Sequence, residues 1–327
     1  MTDEYDKLRR AQLPWTDKYK PLKVNDVLLP PYLLNKFITC IRTNNIPNLI
    51  LSGQAGVGKS SVIKCLAHEL YNSKYDNAVL ELNATDDKGI KIVQNDIVTF
   101  CNIRYEYGKH PSHKLIIIDD IDNMMDKSQL QISILMEKFK HKARFVFTCN
   151  STYDIVEAIQ CRCIILCFTT LGNQYIIKKL TNICEKEKIT FEKTALLQIA
   201  KISQGDMRIA INMLQLLYVK NNCIKNSHIN LICTVPQPLI IKVIFDLCIN
   251  KNICEAIKKT LELKNSGYSG TDIVLGMIQT IKSNLCLEIS QDDKIRFLNK
   301  ICNASYCISK SVDSDLQLVS CISELCR

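Results

Sequence analysis

The run Gly53-Gln54-Ala55-Gly56-Val57-Gly58-Lys59-Ser60 constrains this chain more than any other feature, because it fits G-x-x-x-x-G-K-[ST] at every fixed position. An apolar stretch, Asn48–Ser52, precedes it, and a helical pattern, Ser60–Tyr71, follows. A glycine-rich loop between a strand and a helix lets backbone N–H groups close around phosphate oxygens, and the helix N-terminus adds positive potential. Gly53, Gly56, Val57, Gly58, Lys59, Ser60 and Ser61 are the candidate cradle. Lys59 is expected to reach the β- and γ-phosphates of ATP, and the Ser60 hydroxyl to ligate Mg2+.

The flanking patterns extend this into a fold. Ala78–Leu82, Lys114–Ile118, Ala143–Cys149 and Cys163–Cys167 are further short apolar runs, as expected of strands buried on both faces. Between them, Ser60–Tyr71 sets Val62, Ile63, Leu66, Ala67 and Leu70 on one helical face, and Ser128–Phe139 does the same with Ile132, Leu135, Met136 and Phe139. The alternation predicts an α/β parallel sheet covered by helices. After about residue 168 strand signals stop. Tyr175–Glu185, Lys193–Ser203 and Asp206–Tyr218 read as three amphipathic helices. From about Ile229 a second helical block follows: Leu239–Ile249, Ile253–Leu263, Thr271–Ile289, Lys294–Lys310 and Leu316–Leu325, with a turn at Asn265–Gly270.

A second nucleotide element is Leu115-Ile116-Ile117-Ile118-Asp119-Asp120-Ile121-Asp122, an apolar strand ending in carboxylates. Asp119 suits Mg2+ coordination through water, and Asp120 stands where a water-activating carboxylate is needed. Asn150 follows the strand Ala143–Cys149 and reads either as a group that orients a water near the γ-phosphate or as a turn residue. Gly205-Asp206-Met207-Arg208 opens a helix with Asp206 as N-cap. Arg208 then lies in a first turn, against the dipole preference for acids there. It either meets an anion or is a solvated arginine. These motifs define a P-loop NTPase. A P-loop kinase is the rival enzyme class, but it needs an acceptor site, and no signal for one is present.

Composition narrows the setting. Lys plus Arg number 42 against 33 acidic residues, a net charge of +9 that permits nucleic-acid binding and fits a solvated surface equally well. Seventeen cysteines form no C-x-x-C pair, and Cys161, Cys163 and Cys167 have no histidine nearby, so the thiols are expected to be free in a reducing compartment. The first fourteen residues carry Asp3, Glu4 and Asp6 without an apolar run, so no signal peptide is expected. No stretch reaches the roughly 20 apolar residues of a membrane span.

Several segments together resemble the replication factor C small subunits. Trp15-Thr16-Asp17-Lys18-Tyr19-Lys20-Pro21 is similar to their W-x-x-K-Y-R-P, and Leu82-Asn83-Ala84-Thr85-Asp86-Asp87-Lys88-Gly89-Ile90 to L-N-A-S-D-D-R-G-I. Cys161-Arg162-Cys163 sits where they carry S-R-C, and Gly205-Asp206-Met207-Arg208-Ile209-Ala210-Ile211-Asn212 resembles G-D-M-R-x-A-I-N. Pro238-Leu239-Ile240 and Gly267-Tyr268-Ser269 also fit. The resemblance implies an AAA+ module, with a nucleotide-binding α/β domain over residues 1–168, a helical lid over 169–228 and a helical collar over 229–327. It implies one subunit of a nuclear hetero-pentamer that uses ATP to load a PCNA-type sliding clamp onto primer–template DNA. Among the small subunits the chain most resembles the one seated beside the large subunit. Carried over, Lys59, Ser60, Asp119, Asp120, Asn150 and Arg208 serve the subunit's own ATP, Tyr19 and Pro21 lie by the adenine, and Arg162 is a finger on a neighbour's ATP. Lys88 and Lys91 are candidate DNA phosphate contacts, or solvated lysines.

The departures carry expectations too. Asp120 replaces the family's glutamate and is one methylene shorter, a displacement of roughly 1 Å that slows chemistry. Gln131-Ile132-Ser133-Ile134-Leu135-Met136-Glu137 stands for A-L-R-R-T-M-E, without its two interface arginines. Gln94 replaces a DNA-tracking arginine, and Lys20 an arginine. The alternative function is therefore an ATP-binding, weakly hydrolysing structural subunit that donates Arg162.

Overall fold

The computed structural model describes residues 13–84, 90–104, 111–220, 223–229, 236, 238–282, 290–310 and 314–326. The chain divides into two compact units, Met1–Asn226 and Ser227–Arg327.

The first unit is built on five parallel strands: β1 (Leu49–Gly53), β2 (Val79–Asn83), β3 (Lys114–Asp119), β4 (Ala143–Cys149) and β5 (Ile164–Phe168), in the order β2-β3-β4-β1-β5. Each strand lies within one residue of its apolar run. The side-chain period of two decides what each face packs against. Leu115 and Ile117 of β3 join Leu49, Leu51 and Val146 on one face. There they meet Phe37 of α1 (Pro31–Thr43) and Val62, Ile63 and Leu66 of α2 (Lys59–Tyr71). Ile116 and Ile118 point the other way, with Ile50, Phe145 and Phe147. They pack on Ile97 of α3 (Ile90–Asn102) and Ile132, Leu135 and Met136 of α4 (Asp126–Lys138).

The expected burial on both faces fails at the edges of the sheet. Only β1, β3 and β4 are covered on both faces. The edge strand β5 exposes Ile164 by 52% and Ile165 by 38%, and β2 alternates towards solvent. A continuous apolar run does not distinguish an edge from a centre, because position in the sheet is a tertiary property.

Three helices follow β5: α5 (Asn173–Lys186), α6 (Lys193–Ile202) and α7 (Met207–Lys220). Their packed stripes include Ile176, Leu180 and Ile183, then Leu196 and Ile199, then Ala210, Leu214 and Leu217. Strand signals do not stop at residue 168. Two two-residue strands, β6 (Thr190–Phe191) and β7 (Cys223–Ile224), pair in parallel beside these helices.

The second unit holds α8 (Pro238–Ile249), α9 (Ile253–Asn265), α10 (Gly270–Lys282), α11 (Gln291–Lys310) and α12 (Ser314–Leu325). The Asn252 side chain caps α9 by accepting the Glu255 N–H. The core centres on Phe245 and Phe297, with ring centroids 5.7 Å apart, among Ile241, Met277, Ile301 and Ile322. The helix expected to run to Ile289 is described to Lys282, and residues 283–289 lie outside the described residues. No helix among the described residues is long and apolar enough to cross a membrane.

Candidate functional site

Strand register assembles the site. Ser52 of β1 lies beside Cys149 of β4, Ile118 of β3 beside Phe147, and Gly53 beside Phe168. The residues that leave the C-terminal ends of β1, β3 and β4 are therefore brought together, although the sequence spreads them from Gly53 to Asn150. Strand order reverses around β1, and open parallel sheets bind ligands at such a point.

The loop after β1 is the P-loop. Gly56 takes φ +71°, and a Cβ there would fall 1.8 Å from Asp206 Oδ1. Both the backbone angle and the close approach require glycine. Lys59, buried at the start of α2, donates from Nζ to Gly53 O, to Gln54 O at 3.0 Å and to Asn150 Oδ1 at 3.0 Å. Burial lowers its pKa, with Asp120 the foremost opposing influence.

Asp119, at the end of β3, accepts from Ser60 Oγ at 2.8 Å and from the Thr148 hydroxyl. The next residue, Asp120, adopts the left-handed region at φ +53°, which is uncommon for a non-glycine. Its backbone N–H donates to Thr148 Oγ1 at 3.0 Å. Burial raises the Asp120 pKa, the Asp119 and Asp122 charges add to this, and Lys59 and Arg208 oppose it. Asp122 Oδ2 accepts the Asn150 backbone N–H at 2.9 Å, so the turn after β3 fixes the turn after β4.

Sequence reasoning does not single out two residues that hold this arrangement. Thr148 is fully buried and touches both Asp119 and Asp120. Its signal was a hydroxyl after the apolar run Phe145-Val146-Phe147, near the end of the strand. Gln129 is also fully buried. Its Nε2 donates to Met124 O at 3.0 Å and Asp154 O at 2.9 Å, and its Oε1 accepts the Val156 N–H at 2.8 Å. It ties the two post-strand turns together.

The helix α7 comes down onto the P-loop. Asp206 caps it, accepting the backbone N–H groups of Arg208 at 2.7 Å and Ile209 at 3.3 Å. The Met207 N–H donates to Gly56 O at 3.2 Å. A cleft of about 390 Å³ opens between the two. Gly56, Val57, Gly58, Lys59, Ser60 and Ser61 line one side. Met207, Arg208 and Ile211 line the lid side, and Tyr19, Pro21 and Val27 line a third. Gly53, Asp119, Asp120 and Asn150 are not among the lining residues; Gly53 and Asn150 join it through Lys59, Asp119 through Ser60, and Asp120 follows Asp119 in the chain.

Arg162 is elsewhere. It precedes β5 at the opposite end of the sheet, where Ile164 pairs with Leu49. It is 40% exposed, donating from Nη1 to Ala158 O at 2.6 Å and facing Glu137 Oε2 at 3.4 Å. Lys88 lies outside the described residues, and Lys91 falls in the first turn of α3.

A parallel sheet, a P-loop and a capping helical lid define an AAA+ nucleotide-binding ATPase. Residues 49–170 match the ATPase family associated with various cellular activities, and 178–219 match an RCF1/5-like AAA+ ATPase lid domain. Residues 236–324 match the replication factor C C-terminal domain. Among solved structures, Thermotoga maritima RuvB, a Holliday junction branch migration motor, shares the fold with a TM-score of 0.54. It is 16% identical, over 70% of this chain and 79% of its own. Replication factor C subunit 4 of Saccharomyces cerevisiae is 33% identical over 96% of both chains. The replication factor C small subunit of Methanococcus vannielii is 30% identical over 96% of this chain and 98% of its own. The chain belongs to the replication factor C small-subunit family.

Proposed function

We propose that this chain is a small subunit of a clamp loader, using ATP to load a PCNA-type sliding clamp onto primer–template DNA. The observation that carries the reading is the pairing of Lys59 with Asn150 and of its neighbour Ser60 with Asp119, each by one hydrogen bond, beside a cleft that Arg208 lines from the lid. Near-complete coverage of replication factor C relatives supports it.

The residues fit a magnesium nucleotide. Ser60 Oγ and Asp119 Oδ1 form a hydroxyl–carboxylate pair of the kind that holds Mg2+, and the ion when bound neutralises charge on the β- and γ-phosphates. Lys59 exchanges its carbonyl partners for phosphate oxygens. Gly53, Gly56, Val57, Gly58 and Ser61 supply the backbone cradle, and Tyr19 and Pro21 take the base. Asn150 orients the attacking water, Asp120 activates it, and Arg208 meets the phosphates from the lid.

Arg162 is proposed to act in trans on a neighbour's nucleotide. It is remote from its own P-loop and held only by exposed contacts, the Glu137 ion pair worth at most about 1 kcal/mol and the hydrogen bond to Ala158 O, which a neighbour's phosphates can replace. Lys88 and Lys91 contact DNA phosphates, residues 229–327 join the collars of a nuclear hetero-pentamer, and the chain sits beside the large subunit.

A specific observation favours a second reading, in which the chain binds ATP but hydrolyses it weakly. Asp120 hangs from a left-handed backbone pinned to Thr148, so the chain cannot simply advance to make up the missing methylene.

The test is to purify the chain with the sister subunits it carries from its source and to assay clamp transfer onto primed circular DNA. ATP-dependent retention of the clamp is expected. Isolation without sister subunits, or no retention with ATP, refutes the reading.

A further inference from the structure

The Tyr19 wall of the cleft is reached by a segment that is fastened at both ends. At its start Trp15 donates its backbone N–H to Gln215 Oε1 at 3.0 Å, and its ring lies against Tyr218, ring centroids 5.3 Å apart. Both partners belong to α7 of the lid. Next, the Lys18 ammonium and the Tyr19 hydroxyl donate to one oxygen, Glu187 Oε1. Glu187 is the C-cap of α5, also of the lid. Beyond Tyr19 the attachments change side. Cys65 Sγ contacts Pro21 O at 3.1 Å, and the Val24 N–H donates to Glu69 Oε1 at 2.7 Å, both from α2 behind the P-loop. Tyr19 is therefore set by the lid, and Pro21 by α2.

Glu187 is oddly placed for local structure alone. An acid at a helix C-terminus opposes the helix dipole. Its side chain is only 18% exposed. Burial works to raise its pKa, but hydrogen bonds from Lys18 and Tyr19 and the Lys18 charge outweigh that and lower it. Burial and the Glu187 contact push the Tyr19 phenol up, so it remains a donor at any physiological pH. A charge-assisted hydrogen bond of this kind is stronger than a neutral one and directional.

We propose that Glu187 is a positioning residue for nucleotide binding: by accepting from Tyr19 and Lys18 it holds the Tyr19 ring at the base end of the cleft, so that the base is recognised only when the lid is docked. This rests on the placement of the base by Tyr19 and Pro21 above. Without the contact the ring has two free torsions, and a base would have to order it on binding. The triphosphate end, held by the P-loop, is indifferent to it. Affinity for the base and affinity for the phosphates therefore separate.

The experiment is calorimetric titration of the full chain with ATP and with inorganic tripolyphosphate, each with Mg2+. Wild type should prefer ATP. Glu187→Gln should weaken ATP about tenfold, the order of a charged hydrogen bond, and leave tripolyphosphate within about twofold. Tyr19→Phe, which keeps the ring and removes only the hydroxyl, should behave alike, and the double variant should be no worse than either single one. Melting followed by fluorescence of Trp15, the sole tryptophan, confirms folding, and Tyr19→Phe carries the test if Glu187→Gln melts too low. Glu187→Gln weakening both ligands equally, or neither, overturns the inference while the base placement stands. A wild type that binds both ligands equally overturns the base placement and the inference with it.

Discussion

Thr148→Val tests whether one buried hydroxyl organises the acidic end of β3. Valine keeps the volume and the β-branch, so strand geometry and packing survive. Two hydrogen bonds are lost. The Asp120 N–H, now given to Thr148 Oγ1 at 3.0 Å, loses its partner, at about 1–3 kcal/mol. Asp119 loses one donor but keeps Ser60 Oγ at 2.8 Å, which limits that part to about 1 kcal/mol. The sum is roughly 3 kcal/mol, or about 6–12 °C in Tm for a unit of this size. Relaxation of Asp120 out of its left-handed backbone should also move its carboxylate by a fraction of an ångström and lower turnover in the assembled loader about tenfold or more. Trp15 fluorescence during melting reads the first effect, and steady-state ATPase the second. A melting point within about 1 °C of wild type, with turnover unchanged, would refute the role given to Thr148.

Lys59→Ala should abolish nucleotide binding, a loss of at least about 100-fold by calorimetry, with melting little changed, because the carbonyls it leaves stay near solvent and the P-loop. Arg162→Ala should change stability by less than about 1 kcal/mol and leave nucleotide affinity here untouched, while turnover at the neighbouring site of the assembly falls by roughly 10³ or more; an indifferent assembly rules out the finger. Burial holds the His113 imidazole down to about 4, with Arg144 adding to the effect. The folded chain then binds fewer protons than the unfolded one between about pH 6.5 and 4. Stability is complete above that window and falls by about 3 kcal/mol as pH drops through it. His113→Gln should flatten this acid slope in urea titrations.

How much of this was legible beforehand follows the range of each interaction. The five strands lie within a residue of their apolar runs, and the P-loop, the carboxylates after β3 and the Asp206 cap were read from contiguous patterns. Each such signal is carried by neighbours a few residues apart, where backbone geometry and side-chain period determine the outcome. What escaped is long-range. The strands β6 and β7 contribute two residues each and pair across some thirty others, so no period marks them. Thr148 and Gln129 matter only because register brings β3 and β4 together. Glu187 is 168 residues from Tyr19, and nothing between them announces the contact. Exposure of β5 depends on which strand ends the sheet, and Arg162 is removed from the P-loop by the same parallel order. Contiguous residue patterns specify which side chains have the chemistry to grip a phosphate. Which of them meet is settled by packing, because hydrogen bonds between groups far apart in the chain exist only once the sheet and lid have come together.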